Sequence, residues 1–418
     1  SNTTSGSGSV IGGGLFNTAS GKVSFIGGGT NNTASNIFSN VLGGCCNIAS
    51  QTFTTIAGGF SSRNHGSLGF IGAGQNNELV GSRSVITGGC DNKTTGAGDF
   101  IGGGYCNTAT GTNTTVGGGI CNLASSSFST VGGGCNNKAC SLIVGATVGG
   151  GTGNTASGLF HPTVGGGTLN TASNTMATVA GGCNNTSSGQ HSFIGGGSNN
   201  TASGGGNATI AGGLCNLASG ARSTIAGGVC LSASGSYSIA GGGFNNLACG
   251  DKSFVGGGEN NISLSALDVI AGGHTNTVSG SAAVIGGGVT NTASGKASLV
   301  GGGQSNSASG DCTTVVGGVS SRATNTNSTV GGGMRNASMG ASSTIAGGSD
   351  NQIAAPGNRG TIGGGNQNRI IPNSSGNAFF ATIGGGTGNT TRGHYATIAG
   401  GFCAEANQGA FVGGGKYS

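Results

Sequence analysis

Charge is nearly missing from this chain. Only 6% of its 418 residues are Asp, Glu, Lys or Arg, against about 25% in an ordinary soluble domain. The 14 cations and 9 anions are scattered singly, with no basic run of the kind that holds nucleic acid. Aromatic residues make up 5% and tryptophan is absent. That leaves too few large apolar side chains to fill the two or three globular cores that the length alone would suggest. The 3 prolines and the lack of a Gly-X-Y triplet exclude collagen. No apolar stretch approaches the ~20 residues of a membrane-spanning helix. The first residue is Ser1 and no signal-peptide pattern follows it, so a processed product or a fragment is expected.

Motifs of catalysis and metal binding are also missing. There is no P-loop, HExxH, EF-hand or GxSxG elbow in a fitting context. The six Asp and five His residues follow no common spacing, and each His reads as a surface residue rather than a ligand. None of the 13 cysteines forms a CxxC pair. A long cysteine-bearing chain without metal spacing points to an oxidising compartment. Small buried free thiols are the other reading. No enzyme activity, cofactor or metal is expected.

What is present is glycine, 99 residues of it, much of it in a recurring run. VIGGGLFNTASGKVS from Val10 is followed by FIGGGTNNTASNIFS, NVLGGCCNIASQTFT and TIAGGFSSRNHGSLG. The frame is roughly T-I-G-G-G-x-x-N-x-A-S-G-x-x-S. Its second position recurs 27 times, at Ile11, Ile26, Val41, Ile56 and onward to Val412, and 20 of the 26 spacings are 15. A disordered glycine/serine linker has no reason to hold a β-branched residue in phase. Fifteen residues are too few for a helical hairpin or a propeller blade, but suit one coil of a parallel β-solenoid. The expected fold is all-β, a β-roll of about 27 coils running as one continuous solenoid over 1–418, with irregular coils near 138–164 and 346–383.

Each column of the repeat has its own chemistry. The Ile/Val column should face inward as an apolar ladder. The small column of Ala19, Ala34 and Ala49 lets the coil close across a thin interior. The Gly run marks a corner that needs φ > 0 or close backbone approach. The column of Asn17, Asn32 and Asn47, repeated along most of the chain, can hydrogen-bond from coil to coil. Pro162, Pro356 and Pro372 all fall where the period slips, as expected for residues that cannot donate to a ladder. The longest insertion, around Arg369 to Phe380, should bulge as a surface loop suited to recognition.

The residue before each Ile/Val alternates to the opposite face. It is often Thr, but Phe25, Phe70, Phe100, Phe193 and Phe254 also stand there. Exposed phenylalanines in one column predict a face that packs against another chain. Cys106 and Cys121, and likewise Cys215 and Cys230, share a column in adjacent coils. A spacing near 5 Å would bring each pair within disulfide reach. Sequons at Asn31, Asn92 and Asn199, among others, are candidate glycosylation sites.

The segment SFIGGGTNNTASNIFS and its many copies resemble the head repeats of trimeric autotransporter adhesins of the YadA type. The likeness covers nearly the whole chain. It implies a left-handed parallel β-roll, three chains side by side and a surface-exposed adhesive head. The family's repeat is usually one residue shorter. Neither its heptad stalk nor its membrane-anchor barrel is found here. The functional expectation is a structural or adhesive fibre subunit, extracellular or exposed on a cell or virion surface. It would self-associate as a homotrimer, end to end as a filament, or both, with a glycan or host-surface receptor as a further partner. An ice-binding or glycan-binding solenoid surface is the second expectation; the ice-binding form needs regular outward Thr ranks, and the Thr column is interrupted by Phe, Val and Leu.

Overall fold

A computed structural model describes residues 1–372 and 379–415. The chain contacts group into two compact units, Ser1–Gly212 and Gly213–Ser418. Both are all-β, and both are built from the same coil.

In the first unit every coil contributes two very short strands. One series runs from Val10–Ile11 and Phe25–Ile26 to Thr209–Ile210; the other runs from Thr3–Thr4 and Thr18–Ala19 to Thr201–Ala202. Each strand pairs in parallel with its equivalent one coil away, Phe25 with Asn40 and Ile26 with Val41, Thr18 with Thr33 and Ala19 with Ala34. A third ladder is one residue wide and links Leu15, Thr30, Cys45 and Phe60 in turn. The second unit repeats this plan from Leu217–Ala218 and Thr224–Ile225 to Glu405–Ala406 and Phe411–Val412. Among the described residues, no helix is long and apolar enough to cross a membrane.

Alternation within a two-residue strand assigns the faces. In Phe25–Ile26 the first side chain is exposed and the second fully buried. The interior is therefore a stack of Ile and Val opposite a stack of Ala, with buried Asn and Ser between them. At roughly 1.5–3 kcal/mol per buried Ile or Val side chain, the repeated column supplies much of the cohesion that a conventional core would provide.

Three corners close each coil. The last glycine of the run turns the first, with φ of 93° at Gly29 and 90° at Gly44. A Cβ at Gly29 would lie 2.7 Å from Asn32 Nδ2 and overlap the carbonyl of Gly44. Both reasons anticipated for glycine thus apply at this position. The other two left-handed residues are mostly not glycine. Asn31 has φ 54° and Phe38 has φ 55°, and their equivalents recur through both units. Such residues cost on the order of 1 kcal/mol each, which the stacked ladders on either side offset. The repeat gives no glycine signal for these corners, because the side chains there point away from the coil.

Irregular coils keep the ladders and lodge their extra residues at corners. Near 138–164 Ser127, Val144 and Phe160 form a short additional ladder, and Pro162 stands just before Thr163–Val164. The expected surface loop from Arg369 to Phe380 needs correction at its start. Arg369–Ile371 is a strand, and it pairs with Thr390–Arg392 over three residues. Ile370 is buried in the core with Ile353, Ile362 and Ile383. Residues 373–378 of that insertion lie outside the described residues.

Candidate functional site

The asparagine column is an interior scaffold. Asn17, Asn32 and Asn47 are fully buried. The Asn32 backbone N–H donates to Asn17 Oδ1 at 3.0 Å. Asn32 Nδ2 donates to Gly28 O at 3.0 Å within its own coil and to Gly44 O at 2.9 Å in the next. One amide thus bonds backbone on both sides and fixes the Gly corner. The column extends further than Asn306. Asn336, Asn351, Asn368 and Asn389 continue it. Asn336 and Asn351 keep the fifteen-residue phase beyond Ser321, and slips of 17 and 21 residues displace Asn368 and Asn389 from it.

Functional groups must therefore lie on the outward columns. Phe25, Phe70, Phe100, Phe193 and Phe254 stand on the outer face of the first-strand series, each 38–40% exposed in the single chain. The rings of Phe100, Phe193 and Phe254 lean along the sheet toward the start of the Gly run. A Cβ at Gly256 would sit 3.2 Å from the Phe254 ring, and one at Gly102 would sit 3.5 Å from Phe100. Between the phenylalanines the same face carries unbroken Thr ranks. Thr115, Thr130, Thr147, Thr163 and Thr178 pair in succession in the first unit. Thr314, Thr329, Thr344, Thr361, Thr382 and Thr397 do so in the second.

The middle glycine of each run behaves differently from its neighbours. The position is glycine in 26 coils and alanine once, at Ala73. A Cβ there would come no closer than 3.4 Å to any other atom, and at Gly28, Gly43, Gly150 and Gly181 it would meet nothing within 4 Å. Most of these glycines also have no left-handed φ. The single chain has no steric need for glycine at this position, and Ala73 demonstrates that a side chain fits.

Cysteines gather at the corner after the Gly run. Cys106 and Cys121 occupy the left-handed position of adjacent coils, as do Cys215 and Cys230, and all four are free thiols. The Cys121 thiol is pushed up from its ordinary pKa by its hydrogen bond with Cys106, with burial and the negative charge of its neighbours adding to the shift. Cys45 and Cys46 lie with their sulfurs 3.0 Å apart. Of the candidate glycosylation sites, Asn31 and Asn199 are exposed corners. Asn92 requires correction. It is fully buried and its Nδ2 donates to Gly88 O and Gly104 O at 3.0 Å, so the folded chain has no room for a glycan there. A sequon carries no information about which Asn column it falls in.

Two carboxylates intrude on the interior. Asp99 and Asp268 occupy a column of Ser, Thr and Ala, and both are buried. Burial raises both above the ordinary carboxyl range, against hydrogen bonds that favour the charged form, from Thr114 and Gly96 to Asp99 and from Ser265 and Ala283 to Asp268. On the surface, Arg335 forks onto Asp350 at 2.6 and 2.8 Å and lowers its pKa to about 2, with help from Ser349. Among the described residues, no three His, Cys, Asp or Glu side chains converge as a metal site requires.

No family model matches the sequence, and no curated protein is significantly similar to it. The outward columns therefore carry the functional reading by themselves.

Proposed function

We propose that this chain is a non-catalytic, extracellular fibre subunit whose coils pack side by side with those of further copies, at a cell or virion surface, and present an adhesive exterior. The middle glycine column carries this reading. Glycine costs about 0.5–1 kcal/mol relative to alanine at an ordered position, so 26 of them amount to on the order of 10–25 kcal/mol. That is comparable to the net stability of a whole domain, about 5–15 kcal/mol, and the isolated coil recovers none of it. Close approach of a second backbone along this strip would recover it. The neighbouring column of half-exposed phenylalanines favours the same face. A second copy suits the strip better than an unrelated partner, because its coils have the same spacing and one good contact is repeated rung after rung. The resemblance to YadA-type head repeats supports a trimer.

Sedimentation velocity and negative-stain electron microscopy test the proposal. Wild type should form a discrete oligomer or filament at micromolar concentration. Gly133→Val, Gly150→Val and Gly166→Val together should release monomers with an unchanged circular-dichroism spectrum. A monomeric wild type, or glycine variants that assemble normally, would overturn it.

The Thr ranks favour one second reading, an ice-binding face. A face covered by another copy cannot meet ice, so monomers with thermal hysteresis would select that reading. Assembled oligomers without it would select the fibre.

A further inference from the structure

The second unit departs from its own repeat in a groove between two outward columns. Asp350, Gln352, Gln367, Arg369, Gly388 and Thr390 line a surface cavity of about 570 Å³, within the roughly 300–1,000 Å³ typical of ligand pockets. The equivalent groove in the first unit, lined by Ser61, Arg63, Asn76, Asn77 and Glu78, encloses only about 150 Å³. Gly388 makes much of the difference. It occupies the left-handed corner, with φ 69°, where neighbouring coils carry Asp350, Gln367 and Cys403. Its missing side chain leaves the ridge lower there, with Cys403 Sγ leaning in to 3.2 Å from where a Cβ would stand.

The charges differ as well. In the first unit Glu78 stands in register beside Arg63 and pairs with Lys93 Nζ at 2.7 Å, so an acid adjoins the arginine of that groove. In the second, Arg335 holds Asp350 and Arg392 lies 3.7 Å from Glu405. Arg369, between these pairs, has no acidic partner among the described residues, and its register neighbours Gln352 and Thr390 are neutral. The side chains of Gln352, Gln367 and Thr390 make no hydrogen bonds among the described residues. The groove thus offers one unmatched guanidinium beside neutral hydrogen-bonding groups, with the Asp350 carboxylate of its lining already paired with Arg335.

We propose that this groove binds an acidic sugar, a pyranose ring bearing a carboxylate. The carboxylate pairs with the Arg369 fork, a geometry that guanidinium matches with two parallel bonds. Ring hydroxyls meet the amides of Gln352 and Gln367 and the hydroxyl of Thr390, and the lowered ridge at Gly388 admits the ring. One cation among three neutral polar groups suits a ligand with a single charge and several hydroxyls. A phosphate or sulfate would call for more cations. The inference deepens the adhesive part of the proposed function and does not depend on self-association.

Saturation-transfer NMR and calorimetry on the full chain, with digalacturonate and N-acetylneuraminic acid as probes and a neutral galactose disaccharide as control, test it. At least one acidic probe should bind, with affinity at least tenfold above the neutral control. Arg369→Gln, which places in this column the residue that Gln352 already supplies one coil away, should lose that tenfold preference. Gly388→Asn should abolish binding with an unchanged melting temperature, because Asn occupies this corner at Asn184 and Asn199. Equal binding of acidic and neutral sugars, no binding of either probe, or an Arg369→Gln variant that binds as wild type would overturn it. Loss of oligomers with retained sugar binding would sink the fibre reading alone.

Discussion

At the scale of single residues, this protein sets a column of buried amides beside its Ile, Val and Ala ladders. Each buried Asn connects two coils, so the cost of removing one comes from the partners it leaves behind. Asn107→Ala strands the carbonyl of Gly103 and the N–H of Asn122, while Asn92 Oδ1 keeps the Asn107 backbone N–H. We expect a loss of about 2–4 kcal/mol in urea unfolding. The column tolerates exceptions where the chain has adapted to them, as at Leu231, whose N–H still donates to Asn216 Oδ1 at 2.9 Å. The buried carboxyls predict a pH dependence. Asp99 and Asp268 hold their protons more tightly when folded than when unfolded, because burial raises their pKa from 3.8. Their contribution to stability is complete below the unfolded value and is lost as pH rises through the folded one. Replacing both with Ser, the common residue of their column, should flatten the fall in melting temperature between pH 4 and 8, an effect on the order of a few degrees. Asp350 has the opposite sign. Its pairing with Arg335 is complete above 3.8 and disappears as pH falls toward about 2.

At the scale of the coil, volume is traded between columns. Leu79 stands where most coils have Ala, and Gly69 stands opposite in the Ser column. A Cβ at Gly69 would lie 2.7 Å from Leu79 Cδ2 and 2.6 Å from Asn64 Oδ1. Ile353 and Ile370 are matched in the same way by Gly360, where a Cβ would lie 3.2 Å from each. Gly69→Ser should therefore cost about 1–3 kcal/mol through overpacking. Leu79→Ala in the same chain should recover part of that, and a double-mutant cycle measures the coupling. The stacked corners also bring Cys106 into line with Cys121. With oxidised glutathione as the acceptor, the two thiols would lose two protons and two electrons and form one bridge, releasing two reduced glutathiones. Peptide mapping under non-reducing conditions should recover a Cys106–Cys121 peptide. Free thiols at all of Cys106, Cys121, Cys215 and Cys230 would contradict it.

At the scale of the molecule, scarcity of charge sets the expected behaviour. With 14 cations and 9 anions over 418 residues, contacts between copies along the glycine and phenylalanine strip have few ion pairs to screen. Sedimentation between 50 and 500 mM salt should show the assembly constant changing by less than about threefold, since screening acts on charges and not on apolar contact. A steep salt dependence would place the interface on another face.

The coil itself was legible in the sequence, because a closed turn of fixed length forces inward residues into phase. Ile26, Ala34 and Asn32 each lie where their spacing put them. Structure alone revealed the left-handed corners at Asn31 and Phe38, since an outward side chain obeys no periodic rule. It also drew Arg369–Ile371 into the ladder and buried Asn92, because partners one coil away decide these placements and local composition does not encode them. The open middle glycines and the lowered ridge at Gly388 belong to the same class. A glycine in a sequence does not say whether its missing side chain is replaced by a neighbour or by empty space, and only the packing around it tells the two apart.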